Sequence, residues 1–140
     1  MKGIDSSILV YAMDPMTAEH IKAKRAVIAL GDWALNPTVV HEVYHALVFK
    51  RRIFAQDAKS KLRVLMNDTR TKFLNITKAI SLYSLELASE FNLGGRDSLI
   101  VGCYLHSGME SMLTHDSELL NLGIVRFRGR QITFADPIAE

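Results

Sequence analysis

The 140-residue chain has a single cysteine, Cys103, so it cannot form an internal disulfide, which fits a reducing compartment. Cys103 lies in the apolar stretch from Leu99 to Leu105, where a small core residue is expected rather than a nucleophile. Long hydrophobic runs are missing too. No segment approaches the ~18 apolar residues that span a bilayer, and one lysine followed by Asp5 does not resemble a signal peptide. A cytoplasmic protein with no membrane partner is therefore expected. There are only three prolines, and no internal repeat, low-complexity segment or linker divides the chain. Neither sign of charge dominates, since the net charge is +2, too small by itself to imply a nucleic-acid partner. What is present is an ordinary globular composition, 49% hydrophobic and 23% charged. The length suits one domain, 1–140, burying about 70% of its unfolded surface.

Short strands and helices alternate along that domain. Lys2-Gly3-Ile4-Asp5 reads as an opening strand, and Ser6-Ser7 starts the apolar helical run from Ile8 to Ala12. Thr17 to Leu30 reads as an amphipathic helix with Ile21, Ala26, Val27 and Leu30 apolar, ended by Gly31. Trp33-Ala34-Leu35 is a second strand, and Asn36-Pro37 supplies an N-cap and a first helical residue. The helix from Thr38 runs to about Arg51, and another spans Ala55 to Asn67. Thr71 to Ile76 is a third strand, followed by a helix from Lys78 to Phe91. After Gly94-Gly95, Arg96 to His106 is almost wholly apolar, with Gly102 and Cys103 small enough for close packing on a sheet. Ser111 to Thr114 is a fourth strand, Ser117 to Leu122 a short helix, and Ile124 to Phe127 a fifth strand. This alternation predicts parallel βαβ units in a three-layer α/β/α sandwich.

The chemistry is carried by acids. Asp5 and Asp116 each follow a strand, and the strand ends of a parallel sheet open on one edge, where such folds place their ligands. Capping the next helix is the alternative role for either. Asp97 sits in a first helical turn, where the helix dipole favours a negative charge. Glu42 lies within an apolar helix, where a carboxylate needs a partner or a metal to offset desolvation. Four acids on one edge repel unless a divalent cation neutralises them, and hard oxygen ligands favour Mg²⁺ or Mn²⁺ over zinc. Such a site can activate water and hold a phosphodiester for in-line displacement. With these four set aside, 17 Lys and Arg face 11 acids, a basic surround suited to a polyanion.

Four stretches carry a resemblance. They are Gly3-Ile4-Asp5-Ser6-Ser7-Ile8-Leu9-Val10-Tyr11, Pro37 to Leu47 around Glu42, Gly95-Arg96-Asp97-Ser98-Leu99-Ile100-Val101, and Leu113-Thr114-His115-Asp116. In order and spacing the set resembles PIN domains, and among them the ribonuclease toxins of VapBC toxin–antitoxin systems. The resemblance implies a five-stranded parallel sheet in the order 3-2-1-4-5. It implies that Asp5, Glu42, Asp97 and Asp116 are catalytic and hold Mg²⁺ or Mn²⁺, with supporting hydroxyls at Ser7 (or Ser6) and Thr114. It also implies an RNA substrate, an antitoxin partner and a homodimer. The chain departs from the family where a further acid and then an aromatic often follow the last strand. Glu118 and Leu119 stand there, which leaves a supporting role for Glu118 open.

A rival reading comes from the same helix. His41-Glu42-Val43-Tyr44-His45 is an HExxH string, the zinc-metallopeptidase signature. A catalytic zinc needs a third protein ligand, no HxxGxxH extension follows, and the other three acids stay unexplained. A non-catalytic RNA-binding module is the other alternative, which the full set of acids disfavours. Lys50-Arg51-Arg52 could bind phosphates or only complement a helix end. Arg126, Arg128 and Arg130 would share one face of an extended edge strand. Tyr11, Tyr44, Phe49 and Phe54 read as core or interface rather than base-stacking groups.

Overall fold

Tyr104 explains how the centre of the sheet is built. In the computed structural model, which describes residues 1–139, its side chain is fully buried. Its hydroxyl donates to the Ile4 carbonyl at 2.7 Å and lies 3.1 Å from the Ala34 carbonyl. It therefore bridges β1 (Lys2–Ile4) and β2 (Trp33–Leu35), which pair in parallel. Gly3 makes room for the ring, because a Cβ there would stand 2.6 Å from it. β2 pairs in parallel with β3 (Thr71–Phe73), and β1 with β4 (Ser111–Leu113). The crossover from one side of β1 to the other leaves a switch point between β1 and β4, at the carboxyl edge.

Helices connect the strands and complete the α/β/α sandwich. They are α1 (Ser6–Met13), α2 (His20–Ala29), α3 (Pro37–His45), α4 (Ala55–Asn67), α5 (Lys78–Phe91), α6 (Gly95–His106) and α7 (Ser117–Leu122). Asn36 caps α3 as expected, its Oδ1 accepting from the Val39 N–H at 3.1 Å. Ile4, Leu35, Leu105 and Met112 are among the fully buried side chains of the core. Cys103 is buried among them and its thiol is pushed up to about 11 by burial, the state of an inert core cysteine.

Several details differ from the sequence reading. The sheet has six strands in the order β3-β2-β1-β4-β6-β5. The position beside β4 belongs to an unforeseen strand, β6 (Arg130–Ala135), which runs parallel to it. The foreseen fifth strand, β5 (Ile124–Phe127), lies outside as an antiparallel edge. Arg128 and Gly129 join the two, both with positive φ (49° and 77°), the conformation of a two-residue hairpin turn. The three arginines therefore do not line one strand. Arg128 is in the turn, and Arg130 points back to the end of α6, donating to the Leu105 and His106 carbonyls. Gly102 serves helix packing rather than the sheet, since a Cβ there would stand 2.1 Å from the Ser84 hydroxyl of α5. Ile21 is 55% exposed, outside the core, because α2 buries Ala23 and Val27 instead. The helix begun by α3 changes at Ala46 into a π-helical turn, Ala46–Lys50. No described helix is long and apolar enough to cross a membrane.

Candidate active site

Both strand-end acids cap the helix that follows. Asp5, 5% exposed, accepts from the Ser6 N–H at 2.8 Å, and Asp116 from the Glu118 N–H at 2.8 Å. The capping role and a site role are thus compatible: each cap fixes a carboxylate at the sheet edge. The second oxygen of Asp5 accepts from the Thr114 hydroxyl at 2.7 Å and the Ser7 hydroxyl at 3.1 Å. Thr114, fully buried, also accepts from the Asp116 N–H at 3.0 Å, so one hydroxyl ties the two strand ends together. Ser7 in turn accepts from the His115 N–H at 2.9 Å. Ser6 and Ser7 have separate tasks. The Ser7 hydroxyl serves Asp5, whereas the Ser6 hydroxyl donates to Glu42 at 2.9 Å and stands 3.5 Å from Asp5.

Glu42 comes in from α3 and is met from α6 by Arg96, 3.6 Å away. Burial raises its carboxyl above the ordinary range, against the Ser6 hydrogen bond and Arg96, with Asp5 and Asp116 adding to the rise. Asp5 is likewise raised by burial, opposed by its Thr114, Ser6 and Ser7 hydrogen bonds. Asp97, in the first turn of α6, behaves differently. No hydrogen bond or cation opposes its burial, and the fields of Asp116, Asp5, Glu42 and Glu118 all raise it further, to about 6. The four acids therefore lie within one another's electrostatic reach, and Glu118 within that of Asp97.

The cluster is not closed. Among the described residues no three His, Cys, Asp or Glu side chains are grouped tightly enough to enclose an ion. Asp5 accepts from the Thr114 and Ser7 hydroxyls, and Glu42 accepts from Ser6 and pairs with Arg96. The donor set still suits a hard cation. All four groups offer carboxylate oxygen, and Asp97 is a bare carboxyl surrounded by like charge, which a divalent ion would relieve.

The rival motif is spread over two grooves. His41 lines a groove with Leu62, Met66 and Phe73, whereas His45 faces the groove beside the acids. His45 also packs against Phe49, with ring centroids 5.1 Å apart.

The sequence matches the PIN domain family over residues 3–125. The chain belongs to the PIN-domain family. Solved structures similar to this PIN domain are VapC-type toxins and their complexes. VapC20 of Mycobacterium tuberculosis, a sarcin–ricin loop cleaving toxin, aligns with a TM-score of 0.76 at 17% identity, covering 91% of this chain and 99% of that one. VapBC2 of Rickettsia felis, bound to a DNA fragment from its promoter, aligns at 0.67 with 14% identity, covering 96% and 97%. VapBC-1 of nontypeable Haemophilus influenzae aligns at 0.62 with 16% identity, covering 97% of each chain. At these identities the likeness speaks to the fold. No curated protein matches the sequence.

Three residues beside the acids carry no signal of their own in the sequence. Arg96 sits beside Asp97 in its motif as one more residue of the helix, yet it pairs with Glu42. His115 stands in the stretch Leu113-Thr114-His115-Asp116 with no role of its own in the sequence, yet it lines the groove beside Glu42. Asp136, which accepts from or pairs with the His115 ring at 2.7 Å, follows the unforeseen β6.

Proposed function

We propose that this PIN domain is a metal-dependent endoribonuclease acting in the cytoplasm as the toxin of a toxin–antitoxin pair. The observation that carries the reading is Asp97: a carboxyl without a donor, raised to about 6 by burial and four neighbouring acids. Such a cluster is costly to fold around and fits a role in binding a cation. Asp5, Asp97 and Asp116 would hold Mg²⁺ or Mn²⁺, with Glu42 as a further ligand or as the group that orients water. When bound, the ion supplies charge neutralisation and Lewis acidity toward a phosphodiester. Thr114 and Ser7 fix the Asp5 carboxylate. Ser6 and Arg96 aim Glu42, whose raised affinity for a proton suits it to receive one from the attacking water. VapBC complexes among the similar structures support an antitoxin partner, and a homodimer belongs to the same reading.

The test compares two sets of variants on RNA with Mn²⁺ and with EDTA. Asp5→Asn and Asp97→Asn are expected to abolish cleavage, as is EDTA, while the His41→Ala/His45→Ala double variant retains most of it. A zinc peptidase gives the reverse pattern, with stoichiometric zinc that the double variant loses. That result would end the nuclease assignment.

A further inference from the structure

The π-helical turn after α3 changes which side chains reach the acids. The Arg51 N–H donates to the Ala46 carbonyl at 2.9 Å, five residues back, where an α-helix would have used Leu47. One extra residue in the turn brings Lys50 and Arg51, rather than Phe49, into line with Glu42 and Ala46. Phe49 is left outside, 68% exposed and packed against His45. Single π turns inside helices are frequent at functional sites. The turn forms one wall of a groove of about 320 Å³ that starts at Glu42 and Ser6 and is floored by Val10, Tyr11 and Ala46.

Arg51 is anchored before any ligand arrives. Its guanidinium lies over the Tyr11 ring, 5.2 Å from the centroid, and 3.9 Å from the buried Asp14 carboxylate. A planar cation fixed in this way can stack on a base. Lys50 is exposed and has no ion-pair partner among the described residues. Arg96, with a side chain 77% exposed, faces them from α6. Three cations thus rim a groove that has Glu42 at one end, which suits a strand whose phosphates pass from the cations toward that acid and its neighbours.

We propose that this groove is a subsite for one unpaired ribonucleotide next to the phosphodiester held at the acids, with Lys50 on its phosphate and Arg51 as the platform for its base. The proposal rests on the ribonuclease reading. The volume is at the lower end of small-ligand clefts, room for one nucleoside. A duplex keeps its bases stacked inside and offers Arg51 no ring.

The test is the binding of a short fluorescein-labelled single-stranded oligoribonucleotide, and of the same strand in a duplex, measured by anisotropy in EDTA over a salt series. Lys50→Ala is expected to lower the slope of log affinity against log salt by about 0.7, the share of one phosphate on a single strand. Arg51→Lys keeps the charge and removes the plane. It is expected to leave the slope unchanged and to weaken single-strand binding about fivefold or more, the range of one lost stacking contact. Duplex binding should be insensitive to Arg51→Lys. The proposal is overturned if Lys50→Ala leaves the slope as in wild type, or if Arg51→Lys affects strand and duplex alike. RNA cleavage that persists alongside either result retains the nuclease reading and rejects the groove. Groove-dependent binding by a protein that cleaves nothing keeps the groove and rejects the nuclease reading.

Discussion

Asp97→Asn should stabilise the metal-free protein. The native carboxyl stands at about 6, against 3.8 for an ordinary aspartate, so the folded chain holds this proton more tightly than the unfolded chain does. The group costs no stability below about pH 3.8, where both states are protonated, and the cost develops as pH rises toward 6 and through it. Two pKa units at full weight are close to 3 kcal/mol. Asp97 is only partly buried, and solvent screening reduces the figure to about 1–2 kcal/mol. Asparagine keeps the shape without the charge, so at neutral pH and in EDTA its melting temperature should exceed wild type by about 3–10 °C, given about 3–5 °C per kcal/mol at this chain length. Below about pH 4 the two melting curves should converge. Excess Mn²⁺ should narrow or reverse the gap, because an ion at 100 times its dissociation constant adds about 2.7 kcal/mol to the protein that binds it. The measurement is thermal unfolding of both proteins from about pH 3 to about pH 8, with EDTA and with Mn²⁺. An Asp97→Asn variant no more stable than wild type at neutral pH in EDTA, with no Mn²⁺ shift in wild type, would show that neither burial nor the neighbouring acids strain this carboxylate.

Other outcomes follow from the same contacts. Tyr104→Phe removes a donor from two buried carbonyls and should cost about 1–3 kcal/mol by chemical denaturation; no measurable loss would mean the hydroxyl does not bridge β1 and β2. Gly102→Ala puts a methyl 2.1 Å from the Ser84 hydroxyl and 3.1 Å from its Cα, and overpacking of this kind should cost about 1–3 kcal/mol. A melting temperature equal to wild type would show that α5 and α6 can separate freely. Ser6→Ala frees Glu42 and should slow RNA cleavage more than it lowers stability, which is expected to change by about 1 kcal/mol; equal rates would remove Ser6 from the site.

The parts legible in the sequence were those with local causes. Asp5 and Asp116 could be placed at strand ends because the apolar runs before them and the helices after them are set by neighbouring residues. Asn36-Pro37 fixed the start of α3 for the same reason, and with it the height of Glu42. The π turn was not legible, because its register depends on which carbonyl the Arg51 N–H reaches, and the apolar pattern Val43, Leu47, Phe49 reads as ordinary helix. β6 is hidden in the sequence because Arg126, Arg128 and Arg130 alternate as one strand does. The available signal was Gly129, between two short alternating stretches. Missing β6 also hid Asp136, which depends on that strand for its place beside His115. Arg96 escaped because a cation next to Asp97 has no pattern of its own; only the fold brings it to Glu42.

In the proposed reading this edge of acids directs water, under a divalent ion, onto a phosphodiester of RNA. The most direct measurement is the chemistry of the cut ends. If water attacks phosphorus in line, the ribose 2′-hydroxyl is not the nucleophile, and end-labelling of the products should find 5′-phosphate and 3′-hydroxyl termini that appear with Mg²⁺ or Mn²⁺ and not with EDTA. Termini carrying 2′,3′-cyclic phosphate, or undiminished cleavage in EDTA, would contradict the account.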